Sequence, residues 1–240
     1  MKHRLDQLVH KRGLVISRSQ AESWIRLGKV QVNGEVITKP GYFANEEDAI
    51  ELKADEQYVS RAGLKLASVA KVLHLNFKNI VMLDVGSSTG GFTDYALKHG
   101  ARKVIAVDVG TDQLHPSLHG DERIELHEQT DIRDMKILSD TPDLVVIDVS
   151  FISLREVLPH IAKISGPKTR IVAMVKPQFE ASASNLKHKG VIKNDRMRRD
   201  ILKDFELWAR QYFVIADKAD SDVAGSKGNV ERFYCLEVAR

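Results

Sequence analysis

The 240-residue chain has a single cysteine, Cys235, so an internal disulfide framework is excluded. Cys235 sits in the apolar run Phe233-Tyr234-Cys235-Leu236-Glu237-Val238, where a buried structural thiol is expected, and this suits a reducing compartment. No apolar run approaches the roughly 20 residues of a spanning helix. The start, Met1-Lys2-His3-Arg4-Leu5-Asp6, has no apolar core of the kind a signal peptide carries, and a cytoplasmic location is expected. Asp148, His127 and His188 invite a metal assignment, but no His, Cys or carboxylate cluster has ligand spacing, so no metal is expected. Internal repeats and low-complexity tracts are absent as well. What remains is 43% hydrophobic residues, enough for one good core and a small extra module.

The most informative stretch is Ile80-Val81-Met82-Leu83-Asp84-Val85-Gly86-Ser87-Ser88-Thr89-Gly90-Gly91-Phe92-Thr93-Asp94, a buried strand ending in an acid and a glycine-rich turn into a helix. A second strand, Lys103–Asp108, ends in an acid 24 residues after Asp84, the distance at which a βαβ unit offers a carboxylate to ribose hydroxyls. A dinucleotide loop keeps fixed negative charge away from its pyrophosphate, and Asp84 would repel one. S-adenosylmethionine has no phosphate, and its sulfonium and ammonium groups favour a nearby carboxylate. The expected cofactor site is therefore Asp84, Gly86, Ser87, Ser88, Gly90, Gly91, Phe92 and Asp108, with the glycines letting backbone approach the ligand. Asp131, after the strand-like Ile124–His127, is a candidate for the adenine amino group.

Charge is uneven. The first 40 residues hold eight Lys/Arg against three acids, whereas the whole chain carries only +3. Leu5, Leu8 and Val9 suit a short helix, and Ala21, Trp24, Ile25 and Leu27 suit a second one capped by Ser17 or Ser19. Val30–Ile37 alternates around Asn33-Gly34, a strong hairpin signal. With Arg4-Leu5-Asp6, Ser17-Arg18-Ser19-Gln20-Ala21, Gly28-Lys29-Val30 and Val32-Asn33-Gly34 at these spacings, the unit resembles the S4 RNA-binding domain. Arg4, Arg12, Arg18, Arg26 and Lys29 can then offer phosphate contacts to structured RNA.

Residues 1–54 are expected to form this module, 55–61 a linker, and 62–240 an α/β Rossmann-like domain. In the helix after Ser60, Leu66, Val69, Ala70 and Leu73 share an apolar face, with Arg61 and Lys65 assigned to another. Leu144–Val149 and Ile171–Lys176 read as buried strands whose ends, Asp148 and Lys176, should reach the crevice opened by Asp84 and Gly86. Met197, Ile201, Phe205 and Trp208 stripe a core helix, and Ile215 and Phe233–Val238 suggest closing strands. The basic stretch 185–193, with Lys187 and Lys189, and Arg61 are expected to touch RNA.

Lys65, Asp148, Lys176 and Glu231 resemble the Lys-Asp-Lys-Glu tetrad of FtsJ-like ribose 2′-O-methyltransferases. With an S4-like module in front, and with Val59–Leu66, Asp84–Phe92, Val146–Leu154 and Val175–Glu180 carrying the match, the chain resembles the TlyA family. That family, called haemolysins in older naming, is characterised as rRNA cytidine 2′-O-methyltransferases. The resemblance implies an S-adenosylmethionine-dependent class I methyltransferase sheet, these four residues as catalytic, Asp148 also near the cofactor, and ribosomal RNA or ribosomal subunits as partner. A small-molecule methyltransferase would need no basic module, and a non-catalytic RNA assembly factor would need no intact cofactor loop. A membrane-active haemolysin has no physical support: neither a spanning helix nor a series of alternating amphipathic strands is present.

Overall fold

The computed structural model describes residues 2–15, 17–53, 58–181, 190–225 and 228–239. At the N-terminus, β1 (Lys2–Arg4), α1 (Leu5–Lys11), α2 (Arg18–Arg26), β2 (Val30–Val32), β3 (Glu35–Val36), β4 (Phe43–Asn45) and β5 (Ile50–Leu52) form the expected small α+β unit. Ser17 caps α2 by accepting a hydrogen bond from the Gln20 amide. The β2–β3 hairpin turns through Asn33 and Gly34, both at positive φ (52° and 84°), as an Asn-Gly turn demands. Leu5, Leu8, Val9, Trp24, Ile25 and Val30 are buried in its core.

The rest of the chain forms α3 (Arg61–Ala70), β6 (Val81–Val85), α4 (Gly91–Lys98), β7 (Lys103–Val107), β8 (Ile124–His127), β9 (Leu144–Ile147), α5 (Leu154–Ile164), β10 (Arg170–Val175), α6 (Pro177–Glu180), α7 (Asp195–Ala209), β11 (Phe213–Asp220) and β12 (Arg232–Val238). Seven strands make one sheet in the order β11-β12-β10-β9-β6-β7-β8, with β12 antiparallel to both neighbours and the other pairings parallel. Along each inner strand alternate residues feed opposite faces. Met82, Val104, Val146 and Val172 pack with Leu66, Val69 and Ala96 of α3 and α4. Leu83, Ile105, Val145 and Ile171 pack with Leu158, Ile161 and Phe205 of α5 and α7. Helices cover both faces, which is why these strands read as unbroken apolar runs. Cys235 is buried, as expected.

One expectation needs correction. The start of the second unit is not a bare linker. Tyr58 is buried, its ring 5.3 Å from that of Tyr95, and its carbonyl accepts from Gln20 Nε2, so the segment is packed from residue 58 on. Residues 54–57 lie outside the described ones. Lys65, on a different face of α3 from the apolar one, is only 7% exposed. Its face is set by a partner distant in sequence rather than by the helix's own pattern.

Candidate active site

The strand order reverses between β6 and β9. From β6 the chain crosses to β7 and β8 on one side, then returns to β9 and β10 on the other. In open α/β sheets ligands bind outside the strand ends at such a point. Gly86 follows β6 and Asp148 follows β9, and a Cβ built on Gly86 would stand 2.8 Å from the Asp148 carbonyl oxygen. Lys176 follows β10. Because β12 runs antiparallel with Arg232 opposite Val175, Glu231 falls at the same edge as Lys176.

The four tetrad residues form two ion pairs. Lys65 Nζ lies 2.5 Å from Glu231 Oε2, and both side chains are buried. Lys176 Nζ lies 2.5 Å from Asp148 Oδ1 and donates to Ser150 Oγ at 2.7 Å. A buried ion pair survives desolvation only with close geometry of this kind. Lys65 reaches Glu231 because α3 lies tight on α4: a Cβ on Gly91 would overlap Ser60 Oγ and stand 2.7 Å from Ala62 Cβ. Ser150 lies in the Val146–Leu154 motif, but motif reading gave it no role at the site.

Two cavities share Gly86, Ser88 and Asp148 as a common wall. One, of about 450 Å³, is lined by Ser60, Arg61, Lys65, Asp84, Ser87, Phe92 and His115, and also by Ser17 and Ser19 of the N-terminal unit. The other, of about 470 Å³, is lined by Val107, Asp108, Val109, Asp131, Ile132, Ser150 and Phe151. Asp84 is buried and accepts from Thr93 Oγ1 at 2.7 Å through Oδ2, while its Oδ1 has no hydrogen-bond partner. Burial pushes its pKa up to about 7; the Thr93 hydrogen bond opposes this and the nearby Asp148 adds to it. Ser87 Oγ is likewise buried without a partner. Asp108 accepts from the Ser88 amide at 2.8 Å and the Gly110 amide at 2.7 Å, which fixes its carboxylate at the cavity wall.

Each glycine of the loop also makes room for protein. Gly86 has φ +80° and gives way to the Asp148 backbone, Gly90 has φ +83° and makes room for Leu114 and Leu118, and Gly91 lets α3 approach α4. Gly86 lines both cavities, whereas Gly90 and Gly91 line neither of them. Asp131 faces the second cavity but is also held by Arg133, whose Nη2 lies 2.7 Å from Oδ2, and this hydrogen bond keeps its pKa below the ordinary value. Phe151, part of the Val146–Leu154 motif but given no role from sequence, is 92% exposed at φ +67°, its ring 5.3 Å from that of Phe179.

The expected row of RNA-binding cations is not uniform. Arg4 and Arg18 both donate to the buried carboxylate of Asp6 at 2.7–3.0 Å. Burial alone would raise the Asp6 pKa, but the two guanidiniums outweigh it and hold it low. Arg12 donates to the backbone carbonyls of Asp48 and Glu46, so it ties α1 to its own domain. Arg26 and Lys29 are exposed, and Arg26 shares a cleft of about 380 Å³ with Arg61. Lys187 and Lys189 lie outside the described residues.

Residues 58–238 match the FtsJ-like methyltransferase family, and residues 3–50 match the S4 domain. The chain belongs to the FtsJ-like methyltransferase family. It is 38% identical to the Campylobacter jejuni 23S rRNA (cytidine-2′-O)-methyltransferase TlyA, over 96% of this chain and 98% of that protein. The Mycobacterium tuberculosis 16S/23S rRNA (cytidine-2′-O)-methyltransferase TlyA is 35% identical, over 97% and 89% respectively. A solved structure of a hemolysin-named protein from Streptococcus thermophilus superposes with a TM-score of 0.73 at 37% identity, covering 99% of this chain and 89% of that one. This FtsJ-like methyltransferase, with its S4 domain, has no helix among the described residues long and apolar enough to cross a membrane.

Proposed function

We propose that this chain transfers a methyl group from S-adenosylmethionine to the ribose 2′-hydroxyl of a cytidine in ribosomal RNA. The observation that carries the reading is the pair of buried ion pairs, Lys65–Glu231 and Lys176–Asp148, beside the glycine-rich loop. The protein residues suit the cofactor: the unpartnered Asp84 Oδ1 and Ser87 Oγ offer polar atoms to its amino-acid end, and Asp108 offers carboxylate to its ribose hydroxyls. S-adenosylmethionine, when bound, supplies an electrophilic methyl group.

The protein's task is the acceptor. A ribose hydroxyl is scarcely ionised near neutrality, so it must be aligned, its proton must pass to the Lys176–Asp148 pair as the methyl is taken up, and the charge growing on its oxygen must be stabilised. Lys176 Nζ has two of its directions taken by Asp148 and Ser150, which leaves its third N–H for that oxygen. Lys65, fixed by Glu231, adds positive potential at the rim of the same crevice. Phe151 presents a ring at the mouth, on which the target base can lie. The S4 domain supplies affinity for the rRNA backbone.

The test is the position of the methyl group in nuclease-digested product RNA, by mass spectrometry. A ribose methyl is expected, and Lys176→Ala should lower turnover by about a hundredfold or more while S-adenosylmethionine still binds. A methyl on the base, or full activity in Lys176→Ala, refutes the assignment.

A further inference from the structure

The S4 domain carries two exposed aromatics that its core does not use. Phe43 is 60% exposed and Tyr42 39% exposed. A lone exposed apolar side chain needs no explanation, but Phe43 stands among cations, whereas Tyr42, its neighbour along the chain, turns to the opposite face. In the two-stranded β1–β4 sheet Phe43 is directly opposite Arg4, and Lys2 is opposite Asn45. Facing residues of a strand pair project to the same side, so Phe43, Arg4 and Lys2 share one face. Ala44, which points the other way, is fully buried.

The surroundings are rigid. The Arg4 guanidinium is anchored by Asp6 and lies over Gly41, 3.3 Å from where a Cβ would stand. The turn bearing the aromatics is pinned to α1, with the Leu5 amide donating to the Tyr42 carbonyl at 2.7 Å and the Asp6 amide donating to the Pro40 carbonyl at 3.2 Å. Lys39 is exposed on the same turn. The nearest acid along β4, Glu46, is engaged by Lys11 at 2.8 Å and by His3 at 3.2 Å. The result is a fixed aromatic surface flanked by positive charge.

We infer that Phe43, flanked by Arg4 and Lys2, forms a stacking platform for an unpaired base, so that the S4 domain takes RNA at a loop or bulge rather than along a plain duplex. This rests on the reading of the domain as RNA-binding. Bases inside a helix are already stacked on one another, whereas a splayed base gains a partner from an exposed ring while nearby cations hold its phosphates.

The full chain would be titrated with a labelled RNA hairpin bearing an unpaired loop, and with the blunt duplex of its stem, at several salt concentrations. Phe43→Ala should weaken hairpin binding by about tenfold without changing the salt slope, because stacking releases no counterions. Duplex affinity should stay unchanged. Phe43→Trp should retain hairpin affinity, and Phe43→Leu, apolar but without a π-face, should lose it. Hairpin affinity unchanged in Phe43→Ala, or an equal loss on hairpin and duplex, overturns the platform while leaving the domain's RNA role intact. Failure of the unaltered chain to bind either RNA would overturn that role and the platform with it.

Discussion

Asp84 is a carboxylate held almost out of water with one oxygen unpartnered. With its pKa raised from 3.8 to about 7, it keeps a proton near pH 6 that the unfolded chain has already lost. Its contribution to stability is therefore present at low pH and falls as pH rises from about 4 to about 7. A cationic ligand needs the carboxylate form, so cofactor affinity should climb about tenfold per pH unit up to about 7 and then level off. Calorimetry at pH 6 in buffers of different ionisation heat should register release of close to one proton on binding, and Asp84→Asn should abolish both effects. Affinity that is flat from about pH 5.5 to 8 would sink this account. The places of Asp84 and Asp108 at the cavity walls were legible because strand, turn and spacing are local signals. The burial of Lys65 was not: Glu231 lies far along the chain, and no helical periodicity reports a partner supplied by another element.

At the scale of elements, the site depends on how closely α3 sits on α4. Sequence placed both helices, but the contact between them at Gly91 was not legible, because a motif records where a side chain is missing and not which neighbour fills the space. Gly91→Ala tests that contact. Its methyl would overlap Ser60 Oγ and press on Ala62 Cβ and the Gly63 amide, forcing α3 outward. Such overpacking typically costs about 1–3 kcal/mol, measurable by urea unfolding. Turnover should fall as well, because α3 carries Lys65 away from Glu231. Wild-type stability in Gly91→Ala would show that the contact is soft. A second link joins the loops that follow β9 and β10: buried Glu180 of α6 accepts from Ser153 Oγ and the Leu154 amide, each at 2.7 Å, so the segment after Lys176 is clasped to the one after Asp148. Glu180→Ala leaves the Leu154 amide without its carboxylate partner and should destabilise the protein by about 1–3 kcal/mol in the same assay.

Across the whole molecule, the N-terminal unit was expected to be a separate RNA handle, and its fold and hairpin were readable from residue spacing. Its junction was not, since Ser17 and Ser19 line the same cavity as Asp84 and Lys65. Short polar residues carry no sequence signal of which domain they face. Its cations were readable only as charge: geometry separates Arg12, spent on backbone carbonyls of its own domain, from Arg26, exposed beside a cleft that also contains Arg61. Binding through phosphates releases counterions, so log affinity should fall linearly with log salt. Arg26→Ala removes a free cation and should weaken RNA binding across sequences while making the salt slope shallower by about one. Arg12→Ala instead removes two hydrogen bonds to carbonyls and should lower the thermal midpoint while leaving the slope nearly unchanged. Filter-binding titrations over a range of salt, paired with thermal melts, read both quantities in both variants. If Arg12→Ala flattens the slope and Arg26→Ala does not, the RNA lies against α1 and the 46–48 turn, and the cleft between the domains is not on its path.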